Sequence, residues 1–188
     1  DEFRYGIEQM HPAVYLLSPY YEHWLHTVEH HGRAKGLLSP DDLAELDRRT
    51  QYYLEHPDEP LPQRDDPGLI AFVEAVVPAG APAGRESDKV PQFKAGDTVT
   101  VLADSPAGHT RRARYIRGRT GEIVLAHGTF IYPDSAGNGG GDAPEHVYTV
   151  KFTNAELWGP DTAEPNGVVY VDVWEPYITS ADTTGATA

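Results

Sequence analysis

Residues 56–91 include seven prolines, and this stretch separates the chain into three parts of different character. Because proline lacks a backbone N–H and its ring clashes with the preceding turn, a continuous helix is excluded here except in the short segment 68–77. We therefore predict that residues 56–92 form an extended linker that wraps a surface and is not itself a packed unit.

The stretch before this linker, residues 1–55, has the periodicity of helices. Apolar residues recur at helical spacing; examples are Tyr21, Trp24, Leu25 and Val28. The run 39–42 (SPDD) supplies a capping serine, a proline at the first helical position and two acids in the first turn. These signals predict two or three helices.

The stretch after the linker predicts strands. Short runs rich in β-branched and aromatic residues alternate with turn residues such as glycine, proline and aspartate. The runs are 99–101, 123–124, 130–132, 147–152 and 168–173. Five short strands favour a small β-barrel, most simply an SH3-like one, over residues 93–180. The predicted fold class is α+β: an N-terminal helical part, the extended linker, the barrel and a flexible tail at 181–188.

Composition excludes several classes of function. The 188 residues include 15 Lys and Arg against 29 Asp and Glu, a formal charge of −14 at pH 7. This charge repels phosphate backbones and anionic headgroups, so we expect neither nucleic acid nor membrane as the main partner. The lack of a secretory signal and of a bilayer-spanning apolar run favours a cytoplasmic protein. The absence of cysteine excludes disulfides, thiolate ligands and cysteine nucleophiles.

Common catalytic and metal-binding motifs are missing. Of nine histidines, His23, His26 and His30 have spacings that share a helix face, but zinc needs a third ligand and no HExxH motif occurs. Surface or aromatic-packing roles are the favoured interpretation, so we predict no metal ligand in this chain. There is no GxSxG motif, and the glycine-rich run 137–141 lacks the context of a phosphate-binding loop.

Two local features are unusual for so acidic a chain. Residues 108–119 contain five arginines. Because a guanidinium stays charged and offers five donors, such a run suits either an anionic ligand or the protein's own acids, and composition alone favours the second. Residues 19–24 (PYYEHW) are dense in aromatics, a pattern usual in a core but also suited to the wall of an apolar pocket.

Six segments form a specific combination. They are DEFRYGIEQMHPAVYLLSPYYEHW at 1–24, GHTRRARYIRG at 108–118, HGTFIYPD at 127–134, EHVYTVKF at 145–152, ELWG at 156–159 and DVWEPYI at 172–178. Together they resemble the nitrile hydratase β subunit, in the family's order and over nearly the whole chain. The resemblance implies a hydro-lyase that hydrates a nitrile to the amide and is active only as a complex with an α subunit.

In that family the α subunit binds cobalt(III) or iron(III) through cysteines, two of which are oxidised to sulfenic and sulfinic forms. The resemblance therefore explains why this chain has no cysteine, and it leaves cobalt and iron both open. The metal acts as a Lewis acid or as an activator of hydroxide. Arg4 and Arg111 match the two arginines that hydrogen-bond the oxidised cysteines. A guanidinium suits this role because it is charged and can donate two parallel hydrogen bonds to the anionic oxygens.

The resemblance also assigns a substrate pocket. Tyr20 matches a tyrosine whose hydroxyl orients the substrate, and Phe3 and Trp24 match apolar pocket walls. His23 and His109 match histidines of the surrounding hydrogen-bond network, which would orient Arg111.

The family's β chain begins with several dozen residues before the segment that matches Asp1. We therefore expect either a truncated or processed chain or a third small subunit that supplies this segment, and higher oligomers of αβ units. The alternatives are a subunit of a three-chain enzyme like thiocyanate hydrolase, a metallochaperone-like activator of the α subunit, and a non-catalytic adaptor. The joint presence of Arg4 and Arg111 in their family contexts disfavours the adaptor.

Overall fold

The computed structural model describes residues 1–63, 65–162 and 164–181. The predicted flexible tail lies outside the described residues, apart from Ala181. The chain divides into two compact units. The helical unit is Gln9–Pro82, and the sheet unit joins Asp1–Glu8 to the chain from Ala83 onward.

In the described chain, five helices precede the first strand, and two short helices lie between later strands. The helices are α1 (Glu2–Glu8), α2 (Pro12–Leu17), α3 (Tyr20–Ala34), α4 (Pro40–Glu55), α5 (Pro67–Ala79), α6 (Pro133–Ala136) and α7 (Asn154–Trp158). The strands are β1 (Thr98–Val101), β2 (Thr120–Phe130), β3 (Glu145–Thr153), β4 (Val168–Trp174) and β5 (Ile178–Ser180). Short 3₁₀ helices cover Arg114–Ile116 and Glu175–Tyr177.

The N-terminal region is helical as predicted, but it contains four helices where two or three were expected. The extra breaks fall before Pro12 and Tyr20, where His11 and Pro19 occupy the capping positions in extended conformations. Proline restricts the residue before it and favours the first turn, so each of these prolines marks a boundary. The predicted start of α4 is confirmed by a capping box: Ser39 Oγ accepts from the Asp42 N–H at 3.2 Å, and the Asp42 carboxylate accepts from the Ser39 N–H at 2.9 Å.

The helix in the proline-rich stretch is longer than the predicted segment 68–77. Helix α5 begins at Pro67, where Asp66 accepts from the Leu69 N–H at 3.0 Å, and it ends at Ala79 before Gly80, whose φ is 67°. Pro78 lies in the last turn, where a missing N–H interrupts little of the helix. No residue of α5 is buried, although most of its side chains are apolar.

The sheet is five-stranded and antiparallel, in the order β4-β3-β2-β1-β5. Two register shifts in β2, at Ile123/Leu125 and Ala126/Gly128, bend that long strand. Among the described residues no ladder joins β4 to β5, so the sheet is open and the predicted closed barrel is not confirmed.

The core of the sheet unit is formed by alternate residues of the strands. Tyr148, Val150 and Phe152 of β3 point the same way and are fully buried, as period-two alternation requires. The buried carboxylate of Glu175 accepts hydrogen bonds from the Tyr148 hydroxyl at 2.5 Å and from the Gln92 N–H at 2.9 Å. A buried carboxylate is tolerated here because its oxygens have donors.

The segment 83–92, predicted as the end of the linker, runs along the sheet. The Arg85 N–H donates to the Thr129 carbonyl and the Ile131 N–H donates to the Ala83 carbonyl, each at 3.0 Å. Lys89 pairs with Glu145 on β3. None of the described helices is long and apolar enough to cross a membrane.

Candidate functional site

The loop 108–112, which carries His109 and Arg111, is attached to the sheet unit mainly through side-chain hydrogen bonds. Asn138 accepts from the His109 N–H at 2.9 Å and donates to the His109 carbonyl at 3.0 Å, so one amide satisfies both backbone groups. The Tyr177 hydroxyl accepts from the Arg111 N–H at 3.2 Å. Hydrogen bonds from the rest of the sheet unit therefore fix the backbone of the loop at His109 and at Arg111.

The imidazole of His109 connects this loop to α1. The ring is fully buried; its Nδ1 lies 2.9 Å from a carboxylate oxygen of Glu8, and its Nε2 lies 3.6 Å from a carboxylate oxygen of Asp1. The second distance allows an electrostatic contact but is too long for a hydrogen bond. Asp1, directly before α1, and Glu8, the last residue of α1, thus both approach one histidine of the loop.

The space for this histidine depends on Gly137. A Cβ atom at position 137 would lie 2.2 Å from His109 Cδ2, closer than any real contact. Gly137 itself has φ −68° and ψ −25°, which any residue can adopt. The glycine is therefore required because of the close approach of the imidazole.

The five arginines of the predicted run have different roles. Arg112 is buried; its guanidinium donates to the Asp104 carboxylate at 2.8 Å and lies 5.6 Å from the centre of the Tyr177 ring. The hydrogen bond from Arg112 holds the pKa of Asp104 below its usual value, against a smaller opposing effect of desolvation. Arg117 donates to the Arg112 carbonyl at 3.0 Å. The interpretation that the run pairs with the protein's own acids is confirmed for Arg112, whereas the partners of Arg117 are a backbone carbonyl and the Ser105 hydroxyl.

Arg111 and Arg4 differ from Arg112 in that both are exposed. Within the described part of the chain, neither guanidinium has a hydrogen bond or an ion pair. Arg4 lies on α1 beside Phe3, whose side chain is 42% exposed. The sheet unit therefore presents both arginines and Phe3 from elements that His109 joins.

The remaining predicted site residues lie in the helical unit. Tyr20 and Trp24, one turn apart on α3, have ring centroids 5.7 Å apart and are 62% and 44% exposed. The aromatic segment is thus not the core of this unit, the alternative that its pattern first favoured. His23 Nε2 lies 2.9 Å from the Tyr15 carbonyl oxygen, and its ring stacks on that of Tyr15 at 4.4 Å, so this histidine fixes α2 against α3.

No group of three or more His, Cys, Asp or Glu residues in the described chain is arranged to hold a metal ion. His26 and His30 stack with centroids 6.2 Å apart, and no third ligand joins them. The donor set needed for a tightly held transition metal does not occur in the described residues.

Sequence reasoning missed four residues that organise the loop: Glu8, Asp134, Asn138 and Tyr177. Glu8, Asp134 and Tyr177 lie within segments that carry the resemblance, but their partners are distant in the chain. Asn138 lies in a glycine-rich run that predicts only a loop. Burial of Tyr177 raises the pKa of its hydroxyl above the usual value, and the hydrogen bond to Asp134 raises it further.

Comparisons with known proteins define the class of protein. The family description "Nitrile hydratase beta subunit, N-terminal" matches residues 1–69, and "Nitrile hydratase beta subunit, C-terminal" matches residues 82–180. The chain belongs to the nitrile hydratase β-subunit family. The predicted family, and the function as a nitrile hydratase β subunit within an αβ enzyme, are thereby confirmed.

Individual relatives agree with this assignment. The "Cobalt-containing nitrile hydratase subunit beta" of Pseudonocardia thermophila is 58% identical over 189 aligned positions, which cover 100% of this chain and 79% of the relative. The "Nitrile hydratase subunit beta" of a Rhodococcus species is 57% identical over 95% of this chain and 75% of its own length. A solved structure of the recombinant apo-enzyme of thiocyanate hydrolase from Thiobacillus thioparus aligns with 65% of this chain and 100% of its own, with TM-score 0.45 and 23% identity.

Proposed function

We propose that this chain completes the nitrile-hydrating site of a complex in which an α subunit binds cobalt. The name of the Pseudonocardia thermophila relative supports cobalt. The chain has no cysteine, and its described residues form no cluster of metal ligands, so they do not fit the role of holding the ion. The cobalt, held by the partner, would supply Lewis-acid chemistry to the nitrile.

The contribution of this chain is electrostatic. Arg4 and Arg111 bind the anionic sulfur oxygens of the partner's oxidised cysteines, since a guanidinium satisfies two acceptor oxygens at once and stays charged when covered. Both guanidinium groups are exposed and have no partner within the described chain, as this role requires.

The observation that carries the proposal is the buried His109. Its hydrogen bond to Glu8 joins α1, with Arg4, to the loop that carries Arg111. Two arginines separated by more than a hundred positions in the sequence are thereby built into one unit. Arginines whose backbones belong to one unit cost less to order on binding than arginines on two independent segments.

Each unit carries exposed aromatic residues for contact with the nitrile, as the family resemblance implies. Phe3 and Trp24 offer apolar surface, and the Tyr20 hydroxyl has no hydrogen bond to the described residues, so it is available to the substrate. Within the helical unit, the contact of His23 with the Tyr15 carbonyl oxygen holds α2 against α3, the helix that carries Tyr20 and Trp24. In the same unit, the apolar ring of Trp24 lies beside the hydroxyl-bearing ring of Tyr20, and an apolar surface with one orienting polar group is typical of small-molecule sites.

Two features of the sheet unit support the prediction of an SH3-like barrel. β5 pairs with β1 after a 3₁₀ turn, and β2 to β4 form an antiparallel meander. We propose that fold for it. A third small subunit, higher oligomers of αβ units and a cytoplasmic location stay predictions.

The test is Arg111→Lys, which retains the charge and removes the fork, with Arg114→Lys as the matched control. Arg114 is also exposed and has no side-chain partner in the described chain. In the complex, Arg111→Lys should reduce turnover by roughly a hundredfold, as expected for loss of a preorganised donor, with cobalt content unchanged. Equal turnover in the two variants would contradict the proposal, and loss of cobalt alone would favour a metal-loading activator.

A further inference from the structure

We infer that the Tyr177 hydroxyl is a positioning group for Arg111: it holds the backbone from which that arginine projects. The inference rests on the proposed role of Arg111 in the shared site. Tyr177 ends the 3₁₀ helix Glu175–Tyr177, directly before β5, and its side chain is almost fully buried.

Three hydrogen bonds meet at this one hydroxyl. It accepts from the Arg111 N–H at 3.2 Å and from the Thr110 hydroxyl at 3.4 Å, and it donates to the Asp134 carboxylate. A phenol that donates to a carboxylate is a better acceptor, because hydrogen bonds in a chain polarise one another. Asp134 therefore strengthens the hold of Tyr177 on the loop.

The backbone is the part of Arg111 that the described residues fix. Its guanidinium has no partner there, while its N–H bonds to Tyr177. The neighbours on either side are held separately: Asn138 binds the His109 backbone, and Asp104 binds the Arg112 side chain. Loss of the Tyr177 hydroxyl would therefore release the middle of the loop and leave both flanks attached.

The Tyr177 ring also contacts the same loop, through Arg112. The Arg112 guanidinium lies over it at 5.6 Å, within the range of a cation–π contact. Tyr177→Phe keeps this ring and the core packing, so it removes the hydroxyl contacts alone. A fall in activity would then not arise from a cavity.

Tyr148 offers a matched control. It is also fully buried in the sheet unit, and its hydroxyl also donates to a carboxylate, that of Glu175, at 2.5 Å. None of its described hydrogen bonds reaches loop 108–112. Tyr148→Phe therefore makes the same chemical change in the same core without touching Arg111.

The experiment compares Tyr177→Phe and Tyr148→Phe in the assembled complex with its α subunit. We expect Tyr177→Phe to accelerate hydrogen exchange of the Arg111 amide about fivefold or more, the equivalent of one net hydrogen bond. The value of kcat should fall roughly ten- to hundredfold with little change in KM, because a displaced donor weakens the transition state. Tyr148→Phe should leave both quantities near those of the unsubstituted enzyme.

Equal kcat and equal Arg111 exchange in the two variants would overturn the positioning role. If Arg111→Lys is nevertheless defective, the proposed function survives that failure; if Arg111→Lys turns over normally, both fail. A double variant gives a further check. Since Tyr177 acts through Arg111, Tyr177→Phe should cost little more once Arg111→Lys is present, and an undiminished additional loss would also overturn the inference.

Discussion

Substitution of Gly137 by alanine should displace His109 and so separate α1 from loop 108–112. The new Cβ would lie 2.2 Å from His109 Cδ2 and 2.7 Å from Cγ. The imidazole is fully buried and cannot move aside without losing its 2.9 Å contact with Glu8. The alanine backbone is unstrained at φ −68°, so the effect is one of space alone.

The magnitude follows from two contributions. Overpacking a filled site costs about 1–3 kcal/mol, and loss of one hydrogen bond adds about 1 kcal/mol. We therefore expect the free energy of unfolding to fall by about 2–4 kcal/mol. Urea unfolding followed by tryptophan fluorescence measures it, and turnover of the complex should fall as well because Arg4 is carried by α1.

Gly84→Ala is the control, because a Cβ there would meet the Phe130 ring at 3.9 Å, an ordinary contact. It should change the free energy of unfolding by less than about 1 kcal/mol, as expected of a substitution that creates neither a cavity nor a clash. If Gly137→Ala unfolds at the same urea concentration as Gly84→Ala, the close approach of His109 does not exclude a larger residue at position 137.

Three further predictions concern stability. Ser39→Ala removes the α4 cap and should lower the free energy of unfolding by about 1 kcal/mol, measured by urea unfolding; no change would mean that the cap is replaced by water. Arg112→Lys removes a buried guanidinium whose Nη2 donates to both the carbonyl and the carboxylate of Asp104, so it should lower the melting temperature more than Arg114→Lys. An equal effect of the two substitutions would show that burial of Arg112 is unimportant. Burial, reinforced by the charge of Asp134, raises the pKa of the Tyr132 hydroxyl from 10.0 to about 12. Because the unfolded chain releases this proton at lower pH than the folded chain, the free energy of unfolding should decline between those pH values. Tyr132→Phe should make this decline shallower in alkaline unfolding curves, and an unchanged decline would refute the assignment.

Local features of the fold could be predicted from the sequence where the cause is local. Ser39, Pro40 and the acids after them encode a helix start within four residues, and the structure contains that capping box. The alternating apolar residues predicted the strand-forming regions for the same reason. The breaks before α2 and α3 were missed because a proline inside an apolar periodic run does not disrupt the run itself.

The family resemblance predicts the chemistry of the site, whereas the contacts that build the site could not be predicted from the sequence. The resemblance predicts roles for Arg4, Arg111 and His109, which stay predictions. The five arginines have nearly the same sequence context, and burial and the bond to Asp104 distinguish Arg112 from Arg111. Whether a guanidinium pairs with Asp104 or stays exposed depends on which side of the loop faces the Tyr177 ring.

The sequence by itself determined the family, the helical and strand-forming regions and the absence of cysteine, because each depends on residue identity or on neighbours within a few positions. Only the tertiary structure decided that His109 is buried between Glu8 and Gly137 and that Tyr177 holds Arg111. These contacts join residues far apart in the chain. Their energies depend on distances of a few tenths of an ångström, which no local pattern encodes.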